Sequence, residues 1–180
     1  MTPDETSRLA ASAAIAGLAP TTEADLGDGT FAARAYLDAG GAFGIGSDSN
    51  TIVDPFAELR QLEWSQRLAR QARNVLATAE MPLGQALYAA AARGGARAQA
   101  RPAGAIAPGR RADFVVLDTA DVALAAQPVD VMLDAAIFGP CRRPVRDVMV
   151  GGRWIVREGR HPHEEAIFER YRACLARLPS

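Results

Sequence analysis

Lysine is absent: all 20 basic residues of this 180-residue chain are arginine. That excludes a lysine nucleophile, a Schiff-base lysine or a carbamylated-lysine metal bridge within the chain. Cysteine is scarce as well. Cys141 and Cys174 lie far apart, share no metal-ligand spacing and make no disulfide framework, so a reducing, cytoplasmic location is expected. No apolar run approaches the roughly 20 residues needed to span a bilayer. The opening MTPDETSRLAAS lacks the basic stretch and apolar segment of a signal peptide. An excess of one charge sign is also missing. A net charge of −1 leaves no electrostatic footprint for nucleic acid or a membrane surface, and a small-molecule substrate is the expected partner.

What is present is an ordinary globular balance, with 49% hydrophobic and 23% charged residues. Thr2-Pro3-Asp4-Glu5 carries the marks of a capping box and predicts a helix to about Ala14. A strand is expected near Ile15–Ala19, then a polar, glycine-rich loop over Thr21–Gly29. A second helix over about Phe31–Ala39 stops at Gly40-Gly41, and a strand follows at Ala42–Gly46. Asp54-Pro55 starts a long helix to about Ala72, with Phe56, Leu59, Leu62 and Leu68 as its apolar stripe. Alanine-rich Met81–Ala100 predicts another helix, interrupted or ended near Gly94-Gly95. Beyond Arg101 the texture changes. Asp113–Asp118 predicts a strand, and Val129–Phe138 fits either helix or strand. Val145–Val150 and Trp154–Val156 flank the hairpin signal Gly151-Gly152. Glu164–Leu178 reads as a charged amphipathic helix. The natural seam divides residues 1–100, with βα units, from residues 101–180, which are β-rich and end in that helix.

The order strand, polar loop, helix, strand, polar turn places the chemistry at the carboxyl end of each strand. A parallel (β/α) barrel keeps its active site at that end. A complete eight-stranded barrel needs roughly 200 residues or more, so only part of one is expected here. The second strand runs into Gly46-Ser47-Asp48-Ser49, which presents one carboxylate. Asp48 supports two readings. It caps a turn or the next helix, or it is a metal-binding carboxylate that takes the proton of a bound water. Asp25-Leu-Gly-Asp-Gly lacks the alternating acids of a calcium loop. Gly41-x-x-Gly44-x-Gly46 lies within a strand and is no dinucleotide fingerprint. His161-Pro-His163 reads as a pair of surface histidines, and Arg110-Arg111 as a solvated or salt-bridged turn.

Three stretches together resemble the amidohydrolase superfamily, most closely its formimidoylglutamate deiminase branch. LAPTTEADLGDGTF (Leu18–Phe31) is similar to that branch's strand-seven loop. GIGSDSN (Gly44–Asn50) with ELRQLEWSQRL (Glu58–Leu68) is similar to strand eight and the helix after it. GAIAPGRRADFVVLD (Gly104–Asp118) with VRDVMVGGRWIVREGRH (Val145–His161) is similar to the superfamily's appended β-sandwich. The resemblance covers essentially all 180 residues. It implies an α/β fold: the last two to three βα units of a (β/α)8 barrel, part of a β-sandwich and a terminal helix.

The resemblance also implies a role for Asp48. The family's strand-eight aspartate ligates a single divalent metal, zinc in type, and shuttles the proton of the attacking water. The implied reaction is hydrolysis of N-formimino-L-glutamate to N-formyl-L-glutamate and ammonia, in histidine degradation. The loop Thr21–Gly29 would wall the pocket. At Ala19 relatives often carry cysteine, which implies a packing change there. The family's His-x-His pair and two further histidines have no counterpart in this chain, and His161 and His163 cannot replace them by location. The chain alone is therefore expected to be inactive, as the carboxyl-terminal part of a longer enzyme or as a relic. The alternatives are a related deaminase acting on a guanine-like or other heterocyclic substrate, and a non-catalytic fragment that binds a partner. An open sheet edge would favour self-association, so a homo-oligomer is a further expectation.

Overall fold

The computed structural model describes residues 1–178. Helix α1 (Pro3–Ala11) begins with the expected reciprocal cap: Glu5 N donates to Thr2 Oγ1 at 3.3 Å, and Thr2 N donates to Glu5 Oε2 at 2.6 Å. It ends before Ala14 because Ala13 takes a left-handed conformation, φ 58°, while the Ser12 hydroxyl donates to Leu9 O at 2.7 Å. Strand β1 (Ile15–Leu18) follows.

The segment after β1 is helical where the sequence suggested a loop. Helix α2 (Pro20–Leu26) starts on a proline and stops at Gly27, whose φ of 74° suits a residue without Cβ. Two carboxylates satisfy amides at its start. Glu23 Oε1 accepts from Ala19 N at 2.8 Å, and Glu58 Oε2 accepts from Thr21 N at 2.9 Å. Only Asp28 onward remains loop before α3 (Ala33–Asp38), which is shorter at both ends than expected.

Strand β2 (Ala42–Ile45) then lies parallel to β1, in the register Ile15↔Ala42 through Leu18↔Ile45. The two are neighbours, as the repeated strand–helix order required. Tyr36 is fully buried behind their amino ends, its hydroxyl 3.2 Å from Ala14 O and 3.0 Å from Ala42 O.

Helix α4 (Pro55–Arg70) is capped by Asp54, whose Oδ1 accepts from Phe56 N at 2.9 Å. Phe56, Leu59 and Leu62 are buried as expected, but Leu68 is 83% exposed. Nine residues past Leu59, the middle of the stripe, Leu68 stands about half a turn out of phase with it. The buried face carries Glu58, Glu63 and Gln66 instead.

Helix α5 (Leu83–Ala98) runs unbroken through Gly94-Gly95. The expected interruption does not occur, because Gly94 is where this helix crosses β2 at closest approach. Helix α6 (Met132–Phe138), entered through a 3-10 turn at Val129–Val131, settles the ambiguous segment as helical. It contributes Ala136 and Ile137 to the same core as Phe43, Leu59 and Leu87.

A separate three-stranded antiparallel sheet has the order β3 (Phe114–Leu117), β4 (Val145–Val150), β5 (Arg153–Val156). Gly151 and Gly152 turn the expected hairpin with φ of 57° and 80°, the two positive values that a tight two-residue connection needs. Helix α7 (Glu164–Leu175) closes the described chain, ends short of Leu178 and buries none of its residues. Among the described residues, no helix is long and apolar enough to cross a membrane.

Candidate active-site cleft at the strand ends

β1 and β2 both deliver the chain to one end of the sheet. Past β2, Gly46 N donates to Leu18 O at 2.9 Å, so the two strands stay paired to their last residue. The chain then makes a four-residue turn, Ser47–Asn50, closed by Asn50 N donating to Ser47 O at 3.1 Å. Asp48 is the second residue of that turn and has φ 53°. Aspartate tolerates this left-handed region better than most residues, and an outlier of this kind at a strand end is a reason to look for function.

Asp48 does not cap the following helix; Asp54 does that. Its local contact is short-range, with Oδ1 accepting from Ser49 N at 2.6 Å. The side chain is exposed and faces a cleft of about 370 Å³ with Leu18, Ala19, Gly46, Gly95 and Gln99 on its walls. Ala19, where a cysteine was considered, thus shares the cleft with Asp48.

Helix α2 underpins the turn. The Thr22 hydroxyl donates to Ser47 O at 2.8 Å, and Asn50 Nδ2 donates to Asp25 Oδ2 at 2.7 Å. The segment expected to wall the pocket as a loop is therefore mostly a helical brace. Glu58 holds the brace in turn, accepting from both the amide and the hydroxyl of Thr21 while only 1% exposed. Sequence reasoning overlooked Thr22 and Glu58. The one signal for Glu58 was a carboxylate on the apolar side of α4, one position before Leu59.

The other candidates fall elsewhere. His161 and His163 precede α7, the amide of His163 donating to His161 Nδ1 at 3.1 Å, and neither lines the Asp48 cleft. Arg111 pairs with Asp113 at 3.2 Å, the salt-bridged turn that was expected. Burial and the neighbouring Asp121 carboxylate push the Cys141 thiol above its ordinary pKa, away from thiolate chemistry. A larger cavity of about 830 Å³ lies beside α7, between Arg143, His161, Phe168 and Tyr171, and shares no residue with the cleft.

A catalytic zinc takes about three protein ligands and an open position. Among the described residues no three His, Cys, Asp or Glu side chains come together to hold a metal ion. Asp48 is one suitable donor, so the donor set of this chain by itself does not fit a complete zinc site.

Over 164 residues, 91% of the chain, it is 49% identical to a formimidoylglutamate deiminase of Pseudomonas aeruginosa. The crystal structure of an amidohydrolase from Brucella melitensis superposes on 98% of the chain with a TM-score of 0.89 and 46% identity. The atrazine chlorohydrolase of Arthrobacter aurescens, crystallised with zinc, covers 96% of the chain with a TM-score of 0.78 and 25% identity. The chain spans 36% of the Pseudomonas protein's length, and 39% and 38% of the two crystallised chains. Residues 1–155 match the amidohydrolase family model, and with the parallel strand pair and its polar carboxyl end this shows that the chain belongs to the amidohydrolase family.

Proposed function

We propose that the chain forms the carboxyl-terminal part of a hydrolase that cleaves the formimino C–N bond of N-formimino-L-glutamate. Water adds to the formimino carbon, ammonia leaves, and N-formyl-L-glutamate remains, a step of histidine degradation. The observation that carries this reading is Asp48: a carboxylate on a left-handed turn beyond β2, open to a cleft, in a chain 49% identical to a formimidoylglutamate deiminase. In the assembled site Asp48 would be one ligand of a divalent metal that lowers the pKa of the attacking water, with the remaining ligands supplied from outside this chain. The zinc in the Arthrobacter structure supports zinc as that metal. Asp48 accepts the proton of the attacking water, a role suited to a carboxylate that has one oxygen engaged by Ser49 N and its side chain open to the cleft.

The test is Asp48→Asn in the complete enzyme that contains this chain, with ammonia release as the assay. An amide still coordinates weakly but takes no proton, so kcat is expected to fall by about 10²–10⁴. Parent-like kcat in a metal-replete variant would reduce Asp48 to a turn residue.

A further inference from the structure

We propose that Thr22 is a positioning residue for Asp48, acting through the carbonyl of Ser47; the catalytic part of this proposal rests on the reading of Asp48 above.

Thr22 lies in the first turn of α2 and is 8% exposed. A threonine in the middle of a helix can turn its hydroxyl back to the carbonyl four residues before it, but Thr22 stands in the first turn, where that carbonyl lies outside the helix. Thr22 instead reaches across to the next βα unit and donates to Ser47 O at 2.8 Å. That oxygen belongs to the peptide linking Ser47 to Asp48. The peptide is planar, so fixing its carbonyl fixes the plane from which the Asp48 backbone departs. Ser47 O also accepts from Asn50 N at 3.1 Å, so two donors hold it.

The turn needs such a hold. A non-glycine residue in the left-handed region is strained and persists when its surroundings over-determine it. The tie between Asn50 and Asp25 sits at the exposed surface, where such contacts contribute little. The tie from Thr22 is part-buried, from a side chain only 8% exposed, and leads inward. Thr21, its neighbour, is held by Glu58, which is 1% exposed on α4. Ala19 N is held by Glu23 Oε1 at 2.8 Å. The order of dependence runs from α4 through Glu58 to α2, from Thr22 to Ser47, and from there to the direction of the Asp48 carboxylate.

Thr22→Val keeps the shape and removes the hydroxyl; Thr22→Ser keeps the hydroxyl. Both are made in the complete enzyme, with Thr22→Ala as the hydroxyl-free variant to read if valine prevents folding. Two readouts are taken. Hydrogen exchange of the 47–52 peptide reports the Ser49 and Asn50 amides, whose acceptors are Asp48 Oδ1 and Ser47 O. Steady-state kinetics separates kcat from KM. In the hydroxyl-free variant the 47–52 amides are expected to exchange faster and kcat to fall roughly 2- to 10-fold at unchanged KM, the scale of one lost hydrogen bond. Serine is expected to restore both. Parent-like exchange and kcat without the hydroxyl, or no rescue by serine, would overturn the proposal. Asp48→Asn separates the two readings. If that variant turns over normally the catalytic reading of Asp48 falls, while exchange of the 47–52 peptide still decides whether Thr22 holds the turn.

Discussion

Gly94 of α5 rests directly on the carbonyl of Phe43 in β2: a Cβ at Gly94 would lie 1.7 Å from Phe43 O. Helix and strand backbones meet here with no side chain between them. Gly95, the next residue, would place a Cβ in open space.

The pair makes an internally controlled test. Gly94→Ala forces α5 away from β2, and overpacking of this kind costs about 1–3 kcal/mol or more. Gly95→Ala lies on the same helix without the clash and should be neutral or stabilising, by up to about 1 kcal/mol, because alanine favours helix over glycine. Denaturant unfolding of the two variants checks this. Equal effects would mean that the crossing is not as close as described.

That contact also explains why α5 was misjudged from sequence. Two adjacent glycines carry a local cost of helix formation, which argues for a break. Their benefit is tertiary and invisible without knowing that β2 lies beneath. Helix α2 was missed for a related reason. Its first amide, Thr21 N, is satisfied by Glu58, 37 positions away in the chain, whereas its own sequence offers only seven helical residues and a terminal glycine. The elements read correctly are those with local causes: the capping box at Thr2 and Glu5, the Asp54-Pro55 start, and the Gly151-Gly152 hairpin. The strand-end placement of Asp48 was legible because a short apolar run broke into a polar turn. Thr22 was not, because its acceptor is a backbone carbonyl 25 positions on, which no residue-type pattern marks.

Glu63 is the second buried carboxylate of α4, with no exposed surface. It accepts from Arg67 Nε at 2.8 Å, Val75 N at 3.0 Å and Leu76 N at 2.9 Å, so one side chain ties the segment after α4 back onto the helix. Leu76 is 2% exposed and the bond from its amide to Glu63 is buried. Glu63→Ala is expected to cost about 1–3 kcal/mol through that unsatisfied amide and to speed hydrogen exchange over residues 71–77. Parent-like exchange there would show that the segment is held by Leu76 packing alone.

Asp147 gives the small sheet a dependence on acid. The amide of Glu158, donating to Asp147 Oδ1 at 2.8 Å, holds the carboxyl below its ordinary range, and Arg146 adds to this at 2.8 Å against the opposing effect of desolvation. A folded-state pKa below the unfolded one stabilises the fold at pH values above the unfolded pKa, near 3.9, and that gain is lost as pH falls through the folded pKa. The unfolding midpoint of the parent should therefore exceed that of Asp147→Asn by a constant margin above about pH 5, and the margin should shrink below about pH 4. A margin that stays constant down to about pH 3 would mean that the charge contributes nothing and only packing was changed.

The sharpest expectation concerns metal on the 180-residue chain by itself. Asp48 is exposed, and among the described residues no three His, Cys, Asp or Glu side chains come together around it to hold a metal ion. One carboxylate leaves most of the coordination sphere of a divalent cation to water, and such a cation exchanges freely. Water held so loosely keeps a high pKa, whereas the lowering to about 7 that hydrolysis exploits comes with a complete, dry ligand set. After dialysis the isolated chain should retain far less than one zinc per molecule and release no ammonia from N-formimino-L-glutamate. Metal analysis by mass spectrometry and a coupled ammonia assay measure both. One tightly held zinc per chain would mean that the chain assembles ligands beyond Asp48. Ammonia release in the same sample would show that this assembled site is the working one.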